Sequence, residues 1–64
     1  MKYAIKKTSG GWWTGTRWGN QKDRDEYTRD ELPIMIGENL LDESTMTYSL
    51  DAEGGGLVAR VVEV

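Results

Sequence analysis

Sixty-four residues with neither a cysteine nor a histidine leave this chain a single hydrophobic core to fold around and nothing to staple it with. A domain of that size buries only about 60% of the surface its unfolded chain exposes, so its stability must come from one well-filled core. The missing cysteines remove disulfides, thiolate nucleophiles and cysteine-based zinc or iron–sulfur sites. The missing histidine removes the side chain that serves most often as a general base or zinc ligand near neutral pH. Small secreted domains usually carry disulfide or metal staples, so a reducing, cytoplasmic setting is expected. The apolar run Ile34-Met35-Ile36 falls far short of the roughly 20 residues that cross a bilayer. Met1-Lys2-Tyr3-Ala4-Ile5-Lys6-Lys7 turns polar where the apolar part of an export signal would begin. Neither a membrane span nor an export signal is expected.

The formal charge of −3 conceals an asymmetry. Residues 1–24 carry Lys2, Lys6, Lys7, Arg17, Lys22 and Arg24 against Asp23 alone, whereas residues 25–64 carry ten carboxylates against Arg29 and Arg60. The two parts therefore stand at +5 and −8. Such a split either draws the halves together within one domain or shapes a surface field for a partner.

Tyr3, Ile5 and Lys7 alternate with Lys2, Ala4 and Lys6, and Trp12-Trp13-Thr14 follows after Ser9-Gly10-Gly11. This predicts a β-hairpin whose glycines supply the positive φ angles of a tight turn. A two-residue loop at Gly10-Gly11 pairs Thr8 with Trp13, Lys6 with Gly15 and Ala4 with Arg17. It places Tyr3, Ile5, Trp12 and Trp18 on the core face and leaves Trp13 outside among Lys2, Lys6 and Arg17. A three-residue loop exchanges Trp12 and Trp13 between the faces.

Residues 19–27 read as a polar loop. Thr28-Arg29-Asp30-Glu31 fits a capping box, with Tyr27 and Leu32 as its hydrophobic staple. Asp30 as the cap instead puts Pro33 in the first turn, where its missing donor costs nothing. Leu32, Met35, Ile36 and Leu40 then recur at helical spacing and predict a helix within residues 30–42, although Ile34-Met35-Ile36 before Gly37 also fits a short strand. Met46, Tyr48 and Leu50 alternate with Thr45, Thr47 and Ser49, a strand with one wet face. Asp51-Ala52-Glu53-Gly54-Gly55-Gly56 reads as a hairpin loop. Leu57 to Val64 is apolar on both parities, a strand with covered neighbours. The expected fold is α+β, a ββαββ single domain over residues 1–64: a four-stranded, largely antiparallel sheet with one helix on one face.

Little here supports chemistry. The paired carboxylates Asp25-Glu26, Asp30-Glu31 and Asp42-Glu43 are adjacent residues, not two groups held across a cleft with their pKa values pushed apart. Asp51 and Glu53 lack the spaced ligands of a calcium loop, and Gly54-Gly55-Gly56 lacks the lysine and hydroxyl of a phosphate loop. No metal site, cofactor or catalytic residue is expected, and the protein is read as a non-enzyme. Each tryptophan can bury about 200 Å². A Trp13 ring set among Lys2, Lys6 and Arg17 suits a protein-binding hot spot, a base-stacking platform for single-stranded nucleic acid, or a plain surface on which lysine stems shield the ring.

Met1-Lys2-Tyr3-Ala4-Ile5-Lys6, then Gly11-Trp12-Trp13-Thr14-Gly15 with Trp18, then Tyr27-Thr28-Arg29-Asp30-Glu31-Leu32, resembles a loose group of short bacteriophage and prophage proteins. Those begin with a strand, turn through Gly-aromatic-aromatic and enter a helix after an aromatic-Ser/Thr step. The resemblance spans about the first 35 residues and leaves the second hairpin and Pro33 outside the pattern. It implies a small phage-like accessory protein and carries over no functional residues. The expected function is therefore a protein-interaction module using Trp13, Lys2, Lys6 and Arg17, with single-stranded nucleic-acid binding through the basic N-terminal hairpin as the alternative. Open sheet edges leave either a monomer or a weak homodimer.

Overall fold

The structure, a computed structural model, describes residues 1–50 and 57–64. Seven strands run antiparallel to their neighbours: β1 (Tyr3–Lys7), β2 (Trp12–Trp13), β3 (Trp18–Gly19), β4 (Met35–Ile36), β5 (Asn39–Asp42), β6 (Thr47–Leu50) and β7 (Leu57–Glu63). They form one curled sheet, a half-barrel, in the order β3-β2-β1-β7-β6-β5-β4. The expected α+β arrangement of four strands and one helix is thus corrected to an essentially all-β fold. The only helical pieces among the described residues are two 3₁₀ turns, Gln21–Asp23 and Arg29–Glu31. The expected Asp51–Gly56 loop lies outside the described residues.

Pro33 is the reason the helix does not form. The residue before a proline is driven from the α region, and Leu32 sits at φ −55°, ψ 131°. The capping box does form, but closes only one turn: Glu31 Oε1 accepts from the Thr28 N–H at 3.0 Å and from its hydroxyl at 2.8 Å. Beyond Pro33, Met35 pairs with Leu40 and Ile36 with Asn39. Gly37, at φ +62°, takes the first position of the two-residue loop, where a tight hairpin favours glycine. The apparent helical recurrence of Leu32, Met35, Ile36 and Leu40 is the sum of a connector and a hairpin.

The second half otherwise follows its alternation. Tyr48 is fully enclosed on β6 and lies opposite Ala59 of β7, whose small side chain leaves room for the ring. β7 is apolar on both parities because it is the central strand, paired with β1 from Tyr3↔Glu63 to Lys7↔Ala59 and with β6 from Thr47↔Arg60 to Leu50↔Leu57.

The concave face holds the core. Ile5, Ile36, Tyr48 and Ala59 are buried together, with Trp13, Trp18, Tyr27, Leu41 and Val61 packed against them. Burying a side chain such as Ile5 contributes about 1.5–3 kcal/mol. Because β3 and β4 lie at opposite edges, the 20–34 connector must cross the whole sheet. Tyr27 exchanges backbone hydrogen bonds with Tyr3 at 2.7 and 2.8 Å, and the Tyr48 hydroxyl donates to the Pro33 carbonyl at 2.5 Å. The connector so runs where the helix was expected, and the described residues place no second layer over the opposite, convex face, although Ala4 there is fully enclosed and Arg24 of the connector reaches Trp12.

A basic, tryptophan-centred outer face

The first hairpin decides which indole faces outward. Lys6 pairs with Trp12, the Lys7 N–H donates to the Gly11 carbonyl at 3.0 Å, and the Gly10 N–H donates to the Lys7 carbonyl at 3.1 Å. The loop is therefore the three residues Thr8-Ser9-Gly10, closed by Gly10 at φ +99°, the turn-plus-bulge geometry of three-residue hairpins. The expected two-residue register is corrected, and with it the two neighbouring rings change faces. Trp13 turns inward with Trp18, the two rings meeting edge to face at 5.1 Å and 63°. Trp12 turns outward.

Register carries Trp12 into a row of side chains across six strands: Gly19, Trp12, Lys6, Arg60, Thr47 and Asp42. Its ring is flanked by the Lys6 Nζ at 5.4 Å and the Arg24 guanidinium at 5.2 Å. Arg24 also pairs with Glu26 at 3.1 Å, so its charge is partly answered. Lys6 and Arg60 are exposed and have no ion-pair or hydrogen-bonding partner among the described side chains. A groove of about 340 Å³ runs between them, lined also by Lys7, Thr8 and Val62. Lys2, whose charge also reaches Glu31 of the connector, precedes β1 on the parity of Lys6. Arg17, whose carbonyl accepts from the Thr14 N–H at 2.9 Å, joins it beyond the second turn.

Of the residues expected to bind a partner, Lys6 lies on the outer face, Lys2 and Arg17 fall on its side by alternation from the neighbouring strands, and Trp13 lies on the opposite face. Sequence reasoning held Trp12 outward only as the alternative that a three-residue loop brings, and missed Arg60, which reaches Lys6 through a strand pair 54 positions apart in the chain. Arg60 stands out in the sequence only as the one cation of its strand.

The ionisable groups with displaced pKa values are structural. Burial pushes the Tyr48 phenol up to about 12. Burial, helped by the neighbouring Asp25 carboxylate, does the same to Tyr27. Backbone and hydroxyl hydrogen bonds from Thr28 hold Glu31 below the usual carboxylate range, and hydrogen bonds from Ser44 do so for Asp42. Among the described residues no three carboxylates converge as a metal cluster, and no helix is long and apolar enough to cross a membrane. Chemically, the outer face can attract an anion and offer it a flat apolar ring. The chain matches no protein-family model, no curated protein and no solved structure.

Proposed function

We propose that the protein is a non-enzymatic interaction module that binds an acidic surface of a partner protein through the Trp12–Lys6–Arg60 row, with Lys2 and Arg17 at its margins. The observation that supports this reading is the single row itself, in which an aromatic ring, two cations without ion pairs among the described residues and a groove share one sheet face. Tryptophan and arginine dominate binding hot spots because a flat ring or guanidinium desolvates well and loses little side-chain freedom. The module works in the cytoplasm, as a small phage-like accessory protein.

Single-stranded nucleic acid is the second reading, favoured by the Lys6–Arg60 groove beside a ring on which a base could stack. The protein reading ranks first because one outward ring makes a short stacking platform, and a net charge of −3 opposes a polyanion once it leaves the basic face. Affinity capture from nuclease-treated bacterial lysate separates the two. The wild-type chain should retain a protein that Trp12→Ala and Arg60→Glu lose and Lys22→Glu keeps. Equal retention by all four chains would refute the reading. A labelled oligonucleotide bound with a log–log salt slope of about −0.7 per phosphate would favour nucleic acid instead.

A further inference from the structure

Among the described residues Met46 is the one non-glycine with positive φ, at +53°. It closes the four-residue loop between Asp42 and Thr47, and its carbonyl accepts from the Val61 N–H at 3.0 Å, which pins it in place. Glycine or asparagine would adopt this backbone at little cost, whereas a long side chain there is strained, and strain that persists is a pointer to use. Met46 lines a groove of about 330 Å³ at the end of the sheet away from Trp12, together with Leu32, Ile34 and Leu41. Ile34 is 76% exposed there. Arg29, Asp30 and Glu43 form the charged rim.

Those two rim carboxylates differ from their neighbours. Glu31 is engaged by Thr28 and Asp42 by Ser44. Asp30 and Glu43 take no ion pair or side-chain hydrogen bond among the described residues. The rim is thus two unpartnered carboxylates against one guanidinium, over an apolar floor that includes an adaptable thioether.

The geometry points to a second binding site here, for an extended protein segment that presents one bulky aliphatic side chain flanked by lysine or arginine. The aliphatic group fills the Leu32–Ile34–Leu41–Met46 floor and the flanking cations meet Asp30 and Glu43. This site is independent of the outer face and opposite to it in charge preference, so the protein can hold a basic segment at one end and an acidic surface at the other.

Selective ¹³C labelling of the methionine methyls gives one signal each for Met1, Met35 and Met46. Titration with a peptide centred on Lys-Leu-Lys should move the Met46 signal saturably and leave Met1 in place. Peptides centred on Glu-Leu-Glu or Lys-Ala-Lys should bind at least about tenfold more weakly, as should Glu43→Lys with the original peptide, a tenfold step being the scale of one lost charged or apolar contact. In Met46→Gly, followed by fluorescence polarisation of the labelled peptide, affinity should fall about as far while the thermal midpoint does not drop, because relief of backbone strain offsets the lost contacts. An unmoved Met46 signal, full affinity in Glu43→Lys, or a lowered midpoint in Met46→Gly would each overturn the assignment. A Met46 shift that depends on protein concentration without peptide would overturn it too, by making a second copy the occupant.

Discussion

Replacing Tyr48 by Phe tests how much one hydroxyl contributes to fastening the Pro33 end of the connector to the core. The Tyr48 ring is fully enclosed, and its hydroxyl donates to the Pro33 carbonyl. Phenylalanine keeps the ring in its place opposite Ala59, so only the hydrogen bond is lost. A part-buried carbonyl left without its donor costs about 1–2 kcal/mol, between the net worth of an ordinary hydrogen bond and the full penalty of an unpaired buried group. For a domain this small each kcal/mol moves Tm by about 4–8 °C, so Tyr48→Phe should lower Tm by roughly 4–16 °C. Thermal unfolding followed by circular dichroism at neutral pH measures it. Amide exchange should accelerate at Leu32 and Ile34 more than in β1 and β7, because the connector loosens before the central strands do. An unchanged Tm, or faster exchange centred on β1 and β7, would refute the reasoning.

Trp13→Ala should cost about 3 kcal/mol in urea unfolding, the low end for losing a packed tryptophan, since Trp13 packs on the core and against Trp18. Trp12→Ala should cost about 1 kcal/mol, the scale of a surface cation–π contact. The reverse order would mean the rings sit on the opposite faces. Gly37→Ala, at φ +62°, should cost about 1–2 kcal/mol in the same assay because an L side chain is strained there, and a neutral result would count against the β4–β5 turn. With both phenols pushed up to about 12, the folded state disfavours phenolate relative to the unfolded chain. Stability is then complete below about pH 10, the ordinary phenol value, and is lost as the pH rises from there to about 12. Phenolate absorbance during alkaline titration should lag accordingly for Tyr27 and Tyr48, and titration of all three tyrosines at the ordinary value would contradict their burial.

What the residues disclosed divides by range. The alternation around Tyr48 and the two-sided apolar character of β7 were legible because each reports on its own strand and the layers beside it. The capping box at Thr28 was legible as well, yet it could not tell a single turn from a helix, since Pro33 ends the helical path two residues after Glu31. The site followed the same pattern. Lys2 and Lys6 share a parity that local alternation alone gives, whereas Arg17 comes back to their face only because the chain turns again at Gly15-Thr16. The ring among them depended on the hairpin register, where one extra loop residue turns every following side chain over. Arg60 joins Lys6 only through the β1–β7 pairing, which no local spacing encodes.

The most direct test of the outer face is a titration with a glutamate-rich peptide, followed by the three indole Nε1–H signals in a ¹H–¹⁵N spectrum and assigned by Trp→Phe variants. The Trp12 signal should move with added peptide, and the Trp13 and Trp18 signals should hold still. Movement of Trp13 or Trp18 with Trp12 unmoved would contradict the account.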